Sequence, residues 1–363
     1  MSQICVIGSG NWGTTVGKLL ADNIQLHKDC KENVIIWVFE EHINNRKLSE
    51  FINSDHINPK YLPGIKLPTN LIADTELINV TKKADILFFA LPHQHLMSVV
   101  HKMLNHTKTN ARAVSLMKGV IVNKGKGLVL LSDFISSQLK IPCAVVMGAN
   151  RAGEVAGGIF GEATVGCKDL EYGKLIKKLM QTDYLKLVVV NDEVSVELCG
   201  ALKNIVAIAT GIIDGLGHGD NTKAAFIRLG YWEILAFMEQ FYKNRNVNRM
   251  TVFQSCGFAE MFMCLAHNKN LMSTPIDRCY GSRNILAGMN LAKTSMTLSE
   301  IENKVLMGTH AEGAHAAAEV YEMLASVGQQ DHYPIITTVH KICMRQTPAT
   351  TLIVVAQNHP AHF

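Results

Sequence analysis

The sequence predicts an α/β protein, with an N-terminal doubly wound sheet over residues 1–191 and a mainly helical domain over residues 192–363. Three observations carry this expectation. Short β-rich runs alternate with longer helical patterns up to about residue 190, as in a parallel sheet flanked by helices. After Asp192, alanine-, leucine- and methionine-rich helical patterns take over. Finally, the 363 residues, 48% of them apolar, exceed one ordinary domain and can furnish two cores.

The strands are expected at Gln3–Gly8, Val34–Phe39, Ile86–Leu91, Ala113–Met117, Ala144–Met147, Ala163–Gly166 and Leu185–Val190. Each is a short apolar run bounded by polar or turn-forming residues. Between them, Trp12–Asp22, His95–Asn105, Lys126–Ser137 and Leu170–Thr182 place apolar residues three and four apart, the spacing of one helix face. Val194–Ile213 is long and greasy, but Glu197 and Lys203 near its middle would be costly in lipid, so a buried helix rather than a membrane span is expected.

Composition narrows the function. A net charge of +4 with 18% charged residues leaves no footprint of a nucleic-acid binder, though a mild basic excess suits a small anion. The nine cysteines are scattered, odd in number and never spaced CxxC, which points to reduced thiols in the cytosol and to no metal site. No secretion signal is read at the N-terminus, because Gly8 interrupts the apolar run almost at once.

The sharpest motif is Gly8-Ser9-Gly10-Asn11-Trp12-Gly13, which begins where the strand Ile4-Cys5-Val6-Ile7 ends and opens into a helix. In that setting the spacing reads as the dinucleotide cradle of a Rossmann-type fold. Gly8 allows the tight turn, Gly10 lets backbone approach a pyrophosphate, and Gly13 lets the helix pack on the strand. The helix N-terminus then offers its free amides to the anion. The second strand ends in Glu40-Glu41, where a carboxylate suits a ribose hydroxyl and repels a 2′-phosphate, so NAD is expected over NADP.

Further segments extend this: Trp37-Val38-Phe39-Glu40-Glu41, Lys60-Tyr61-Leu62-Pro63-Gly64, Pro92-His93-Gln94, Ser115-Leu116-Met117-Lys118-Gly119, Met147-Gly148-Ala149-Asn150, Cys199-Gly200-Ala201-Leu202-Lys203-Asn204 and Gly219-Asp220-Asn221-Thr222-Lys223. With the tail Gln357-Asn358-His359-Pro360, they resemble the eukaryotic cytosolic NAD-dependent glycerol-3-phosphate dehydrogenases, in order and over nearly the whole chain. The resemblance implies interconversion of sn-glycerol 3-phosphate and dihydroxyacetone phosphate, NAD as cofactor, a homodimer, a cytosolic location and no nucleic-acid or membrane partner. It implies cofactor contacts by Gly8, Ser9, Gly10, Asn11, Trp12, Gly13, Phe39, His95, Ala152 and Arg283. It makes Lys203 the general acid/base, assisted by Lys118 and Glu260, with Lys118, Asn204, Arg283 and Asn284 binding substrate.

The chemistry of the residues fits those roles. Oxidising a secondary alcohol requires its hydroxyl proton to leave, and a lysine can take it if burial or a neighbouring cation lowers its pKa. The helical neighbours of Lys203 are Cys199, Gly200, Val206 and Ala207, so no carboxylate of its own helix pairs with it. The competing reading is a lysine that snorkels to water. Lys118 follows a strand at the carboxyl end of the sheet, where such folds bind ligands. Arg283 offers a planar fork for phosphate oxygens.

The chain departs from the family pattern in four places. Glu260 stands where the family has an aspartate that orients the lysine. Met261–Arg278 inserts about fourteen residues where short connections are normal, and Cys264 falls in the region of a lost threonine. His95 replaces a phenylalanine, and Gly308-Thr309-His310-Ala311-Glu312-Gly313 replaces Gly-Gln-Lys-Leu-Gln-Gly. No role is assigned to His310. An alternative function follows from these changes: a catalytically impaired NAD-binding paralogue with a regulatory or interaction role. A different hydroxy-acid dehydrogenase is disfavoured by the retained Arg283-Asn284 pair.

Overall fold

The computed structural model describes residues 1–26, 29–123, 127–265 and 282–363. They form two compact units. One comprises Met1–Lys118, Leu131–Glu197 and Gln254–Cys256, and the other Gly119–Leu130, Leu198–Phe253 and Gly257–Phe363.

The first unit is built on eight strands: β1 (Ile4–Ile7), β2 (Val34–Trp37), β3 (Leu71–Asp74), β4 (Ile86–Phe89), β5 (Arg112–Ser115), β6 (Cys143–Met147), β7 (Gly161–Gly166) and β8 (Leu185–Val190). They lie in the order β8-β7-β6-β5-β4-β1-β2-β3. Strands β2, β1, β4, β5 and β6 are parallel, and Trp37, Ile7, Phe89, Ser115 and Val145 form one row across them. Their carboxyl ends therefore emerge together. The order reverses direction beside β1, which makes the end of β1 a topological switch point, the usual ligand position in such sheets.

Continuous apolar sequence explains the central strands. Ile4, Val6, Phe88 and Val114 are fully buried, as expected where helices cover both faces. Helix α1 (Asn11–Ile24) presses Val16, Leu19, Leu20 and Ile24 into the same core. At roughly 2 kcal/mol per buried aliphatic side chain, that stripe fixes the helix on the sheet.

Three expectations need correction. The sheet is not wholly parallel, since β6 and β7 pair antiparallel. Only a single short helix, Ala152–Ala156, lies between them, and its length of about 8 Å cannot carry the chain back along a five-residue strand. The stretch Lys126–Ser137 is not one helix: Gly127–Leu130 pairs with Val120–Asn123 as a hairpin, and a helix occupies Leu131–Leu139. Gly127 is left-handed (φ +87°), which ends helical periodicity there. The edge strand β3 has no counterpart among the expected runs, being four residues long and only half covered.

Among the described residues, the second unit is helical apart from that hairpin. Its elements include α2 (Glu193–Gly215), α3 (Asp220–Phe241), α4 (Glu260–Leu265), α5 (Arg283–Lys293), α6 (Leu298–Lys304), α7 (Glu312–Ser326) and α8 (Pro334–Cys343). The apolar window of α2 is buried throughout, as expected of a core helix. Helix α5 approaches α2 through small residues: a Cβ on Gly211 would lie 2.3 Å from the Ile285 carbonyl oxygen, and one on Gly288 2.3 Å from that of Ile208. Backbone meets backbone there.

Candidate active site

The cradle begins where β1 ends. Gly8 has φ +115°, and a Cβ on it would sit 2.5 Å from the Ala90 carbonyl oxygen. A Cβ on Gly13 would lie 2.1 Å from the Gly8 carbonyl oxygen, so α1 rests directly on the turn. Gly10 differs, because its missing Cβ would meet nothing within 4 Å. It caps α1 with no side-chain hydrogen bond, leaving the helix N-terminus facing open space, as a pyrophosphate requires. Thr15 Oγ1 donates to the Ala152 carbonyl at 3.1 Å, which sets Ala152 beside α1.

Buried Asn58, which the sequence did not single out, donates to the Ser9 carbonyl at 3.0 Å and to Thr14 Oγ1 at 2.8 Å, bracing the loop from beneath. Its signal is weak, an asparagine in the polar stretch before Lys60-Tyr61. Phe39 is exposed after β2, open to an adenine ring. The acidic pair beside it has protein partners. Ser49 donates to Glu40 through its amide and hydroxyl at 3.2 and 2.5 Å, while Glu41 takes Lys60 and the Tyr61 hydroxyl. His95 is exposed just before the helix Leu96–Met103, and Lys118 is half-buried three residues beyond β5.

The helical unit gathers its own cluster. Lys203, on α2, is 3% exposed, and its ammonium lies 3.0 Å from Glu260 Oε1 and 3.2 Å from Cys264 Sγ. Glu260 and Cys264 are one helical turn apart on α4 and so share a face. A tight kink aims that helix: at Gly257 (φ −104°, ψ −105°) a Cβ would stand 2.0 Å from the Val252 carbonyl oxygen. Beside the kink, Phe258 is stacked between Tyr231 and Phe253, with centroids 4.5 and 5.5 Å away. The longer glutamate reaches the lysine, and the cysteine sulfur accepts its hydrogen bond.

Burial pulls the Lys203 pKa down, but the Glu260 carboxylate and the Cys264 sulfur outweigh it and hold the ammonium above its ordinary range. The sequence-based expectation of a lowered pKa is therefore corrected. The pairing carboxylate comes from another helix, which inspection of α2 alone cannot reveal.

Next to Lys203, Asn204 Oδ1 accepts from Asn284 Nδ2 at 3.0 Å, and Asn284 Oδ1 accepts the Gly313 amide at 2.8 Å. Gly313 packs against the Asn204 backbone, where a Cβ would clash at 2.0 Å. Arg283, half-buried, is the first residue of α5, whose Ser282 cap accepts from the Ile285 amide. The Asn204–Asn284 bond thus tethers the Arg283-Asn284 pair to the lysine's own helix, whatever precedes it. Of the insertion Met261–Arg278, residues 261–265 lie in α4, and the remainder falls outside the described residues.

The model of the NAD-dependent glycerol-3-phosphate dehydrogenase N-terminus matches residues 3–173, and that of the C-terminus matches residues 192–354. The chain belongs to the NAD-dependent glycerol-3-phosphate dehydrogenase family. It is 43% identical over 361 residues to the cytoplasmic NAD(+) enzyme of Drosophila melanogaster, covering 99% of this chain and 95% of that one. Against the cytoplasmic enzyme of Homo sapiens it is 41% identical over 362 residues, 99% of both chains. The solved glycerol-3-phosphate dehydrogenase of Saccharomyces cerevisiae superposes with a TM-score of 0.86 at 36% identity, over 98% of this chain and 99% of that one.

Proposed function

We propose that this chain interconverts sn-glycerol 3-phosphate and dihydroxyacetone phosphate in the cytoplasm, with NAD as cofactor. The observation that carries the chemistry is the Lys203–Glu260 pair, a proton-bearing group held in a dry, charged setting. When bound, NADH supplies the hydride that reduces the carbonyl, and NAD accepts it in the reverse direction. The cradle suits that cofactor: a helix N-terminus that Gly10 leaves without a side-chain cap, room over Gly10, and exposed Phe39 for the adenosine half.

In reduction, the carbonyl oxygen gains a proton as its charge builds. Lys203, held protonated by Glu260 and Cys264, donates it. In oxidation the same amine takes the alcohol proton. Glu260 orients the lysine and offsets its charge, so the ammonium is stable in a buried place. Arg283 with Asn284 holds the substrate phosphate, the arginine by its two-pronged face, and Lys118 binds substrate. Asn204, joined to Asn284 side chain to side chain, binds substrate as well. Residues 1–191 serve NAD, and residues 192–363 serve substrate and the contacts of a homodimer.

The substitutions that set this chain apart still leave a carboxylate and a hydrogen-bonding atom on Lys203, so nothing there favours an impaired NAD-binding paralogue. The test is oxidation of NADH by the purified chain with dihydroxyacetone phosphate, followed by absorbance. Turnover that requires the phosphate ester supports the assignment. NADH binding with no turnover would overturn it.

A further inference from the structure

The loop that replaces the family's Gly-Gln-Lys-Leu-Gln-Gly pattern holds a second cluster. Glu302 on α6, His310 in the loop and His315 on the first turn of α7 converge on one point. Glu302 Oε2 lies 3.3 Å from His310 Nδ1, and Glu302 Oε1 lies 2.9 Å from His315 Nε2. All three ligand atoms fall within 4.8 Å of one another. The imidazoles stand edge to face, 85° apart with centroids separated by 5.2 Å.

We propose that Glu302, His310 and His315 bind a divalent transition-metal ion, with zinc the best-suited probe. Two imidazole nitrogens and one carboxylate are the donor set of such ions, whereas magnesium and calcium prefer all-oxygen sites. In a tetrahedral zinc site with bonds of about 2.0–2.1 Å, ligand atoms sit roughly 3.3 Å apart. The carboxylate–imidazole separations, 3.3 Å through Oε2 and 2.9 Å through Oε1, lie close to that value. His310 is 59% exposed and can swing to complete the set.

The carboxylate is also pre-aimed, since Glu302 Oε1 accepts the Ala311 amide at 2.9 Å, the kind of outer contact that fixes a ligand. Glu302 itself is only 11% exposed, while His310 and His315 open the site to solvent. Water completes the coordination, so the site is accessible and exchangeable. An ion there would clamp α6 to α7 across the turn at Met307 and Gly308, both left-handed. Gly313, which donates to Asn284, lies within the clamped segment.

The test is titration of the chelator-stripped full chain with zinc chloride, read by calorimetry against a competing chromophoric chelator. The expected result is one equivalent whose affinity falls at least about 10-fold in His310→Ala and in His315→Ala, with magnesium giving no heat. Zinc should also raise the melting temperature of the parent chain by about 5 °C at saturating excess, and that of the double variant not at all. Equal zinc affinity in the double variant, with its metal-free melting curve unchanged, would place the ion elsewhere and overturn the proposal. So would failure of the parent chain to bind zinc.

Discussion

Replacing Glu260 by glutamine keeps its size and hydrogen-bonding capacity but deletes the charge that holds Lys203 protonated. At the observed 3.0 Å, with an effective dielectric constant of about 20, the lost attraction is roughly 5 kcal/mol. Burial, which already pulls the lysine pKa down, is then opposed by Cys264 alone. The ammonium should give up its proton at lower pH, so the alkaline limb of kcat/KM for dihydroxyacetone phosphate reduction should move down by more than about one pH unit. This ratio reports the free enzyme, before substrate phosphate adds its own charge. Oxidation of glycerol 3-phosphate, which needs the neutral amine, should gain relative to reduction near neutrality. NADH affinity, measured by fluorescence, serves as the control and should hold. An alkaline limb that stays where it is in Glu260→Gln would refute the role given to the pair.

Other consequences follow from the same contacts. Gly13→Ala forces a Cβ to within 2.1 Å of the Gly8 carbonyl oxygen and should cost on the order of 2 kcal/mol or more in urea unfolding. Gly10→Ala should leave that midpoint nearly unchanged yet weaken NADH binding about 10-fold or more, because its methyl enters the space over the helix N-terminus. Burial raises Glu197 from 4.5 to about 7 even though Ser132 donates to it twice. Its contribution is complete below pH 4.5 and is lost as pH rises through 7, so roughly 3 kcal/mol of stability should disappear between those limits. Glu197→Gln should flatten that slope when unfolding is compared at pH 5 and pH 8. Asn284→Ala leaves the buried Gly313 amide without its acceptor, at a cost of about 1–3 kcal/mol, and should raise KM for dihydroxyacetone phosphate more than the Kd for NADH.

The strand, cradle and helix at the start of the chain were legible because three local signals agree there: a continuous apolar run, glycines where sterics demand them, and a helical stripe afterwards. At Gly119–Leu130 they conflict. Leu128-Val129-Leu130-Leu131 reads equally as helix or strand, and only pairing with Val120–Asn123 decides it. The edge strand Leu71–Asp74 lacks the continuous buried run of the central strands, burying only Leu71 and Ala73. Lys203 drew attention as a charge on an apolar face, but its partner lies on a helix remote in sequence, and the sign of its pKa shift depends on that partner. The partners that Glu40 and Glu41 take from Ser49, Lys60 and Tyr61 depend on the chain folding back, which the local pattern does not show. His310 and His315 are five apart, a spacing that suggests no shared helix face, and Glu302 joins them only through the turn between α6 and α7.

Replacing Lys203 by alanine bears most directly on the proposed chemistry. In a coupled measurement of NADH binding by fluorescence and NADH oxidation with dihydroxyacetone phosphate, Lys203→Ala should bind NADH within a few-fold of the parent chain, a margin of about 1 kcal/mol. Its turnover should fall by about 100-fold or more, the usual scale of a lost general acid. Turnover undiminished in Lys203→Ala would contradict the assignment of the proton to this lysine.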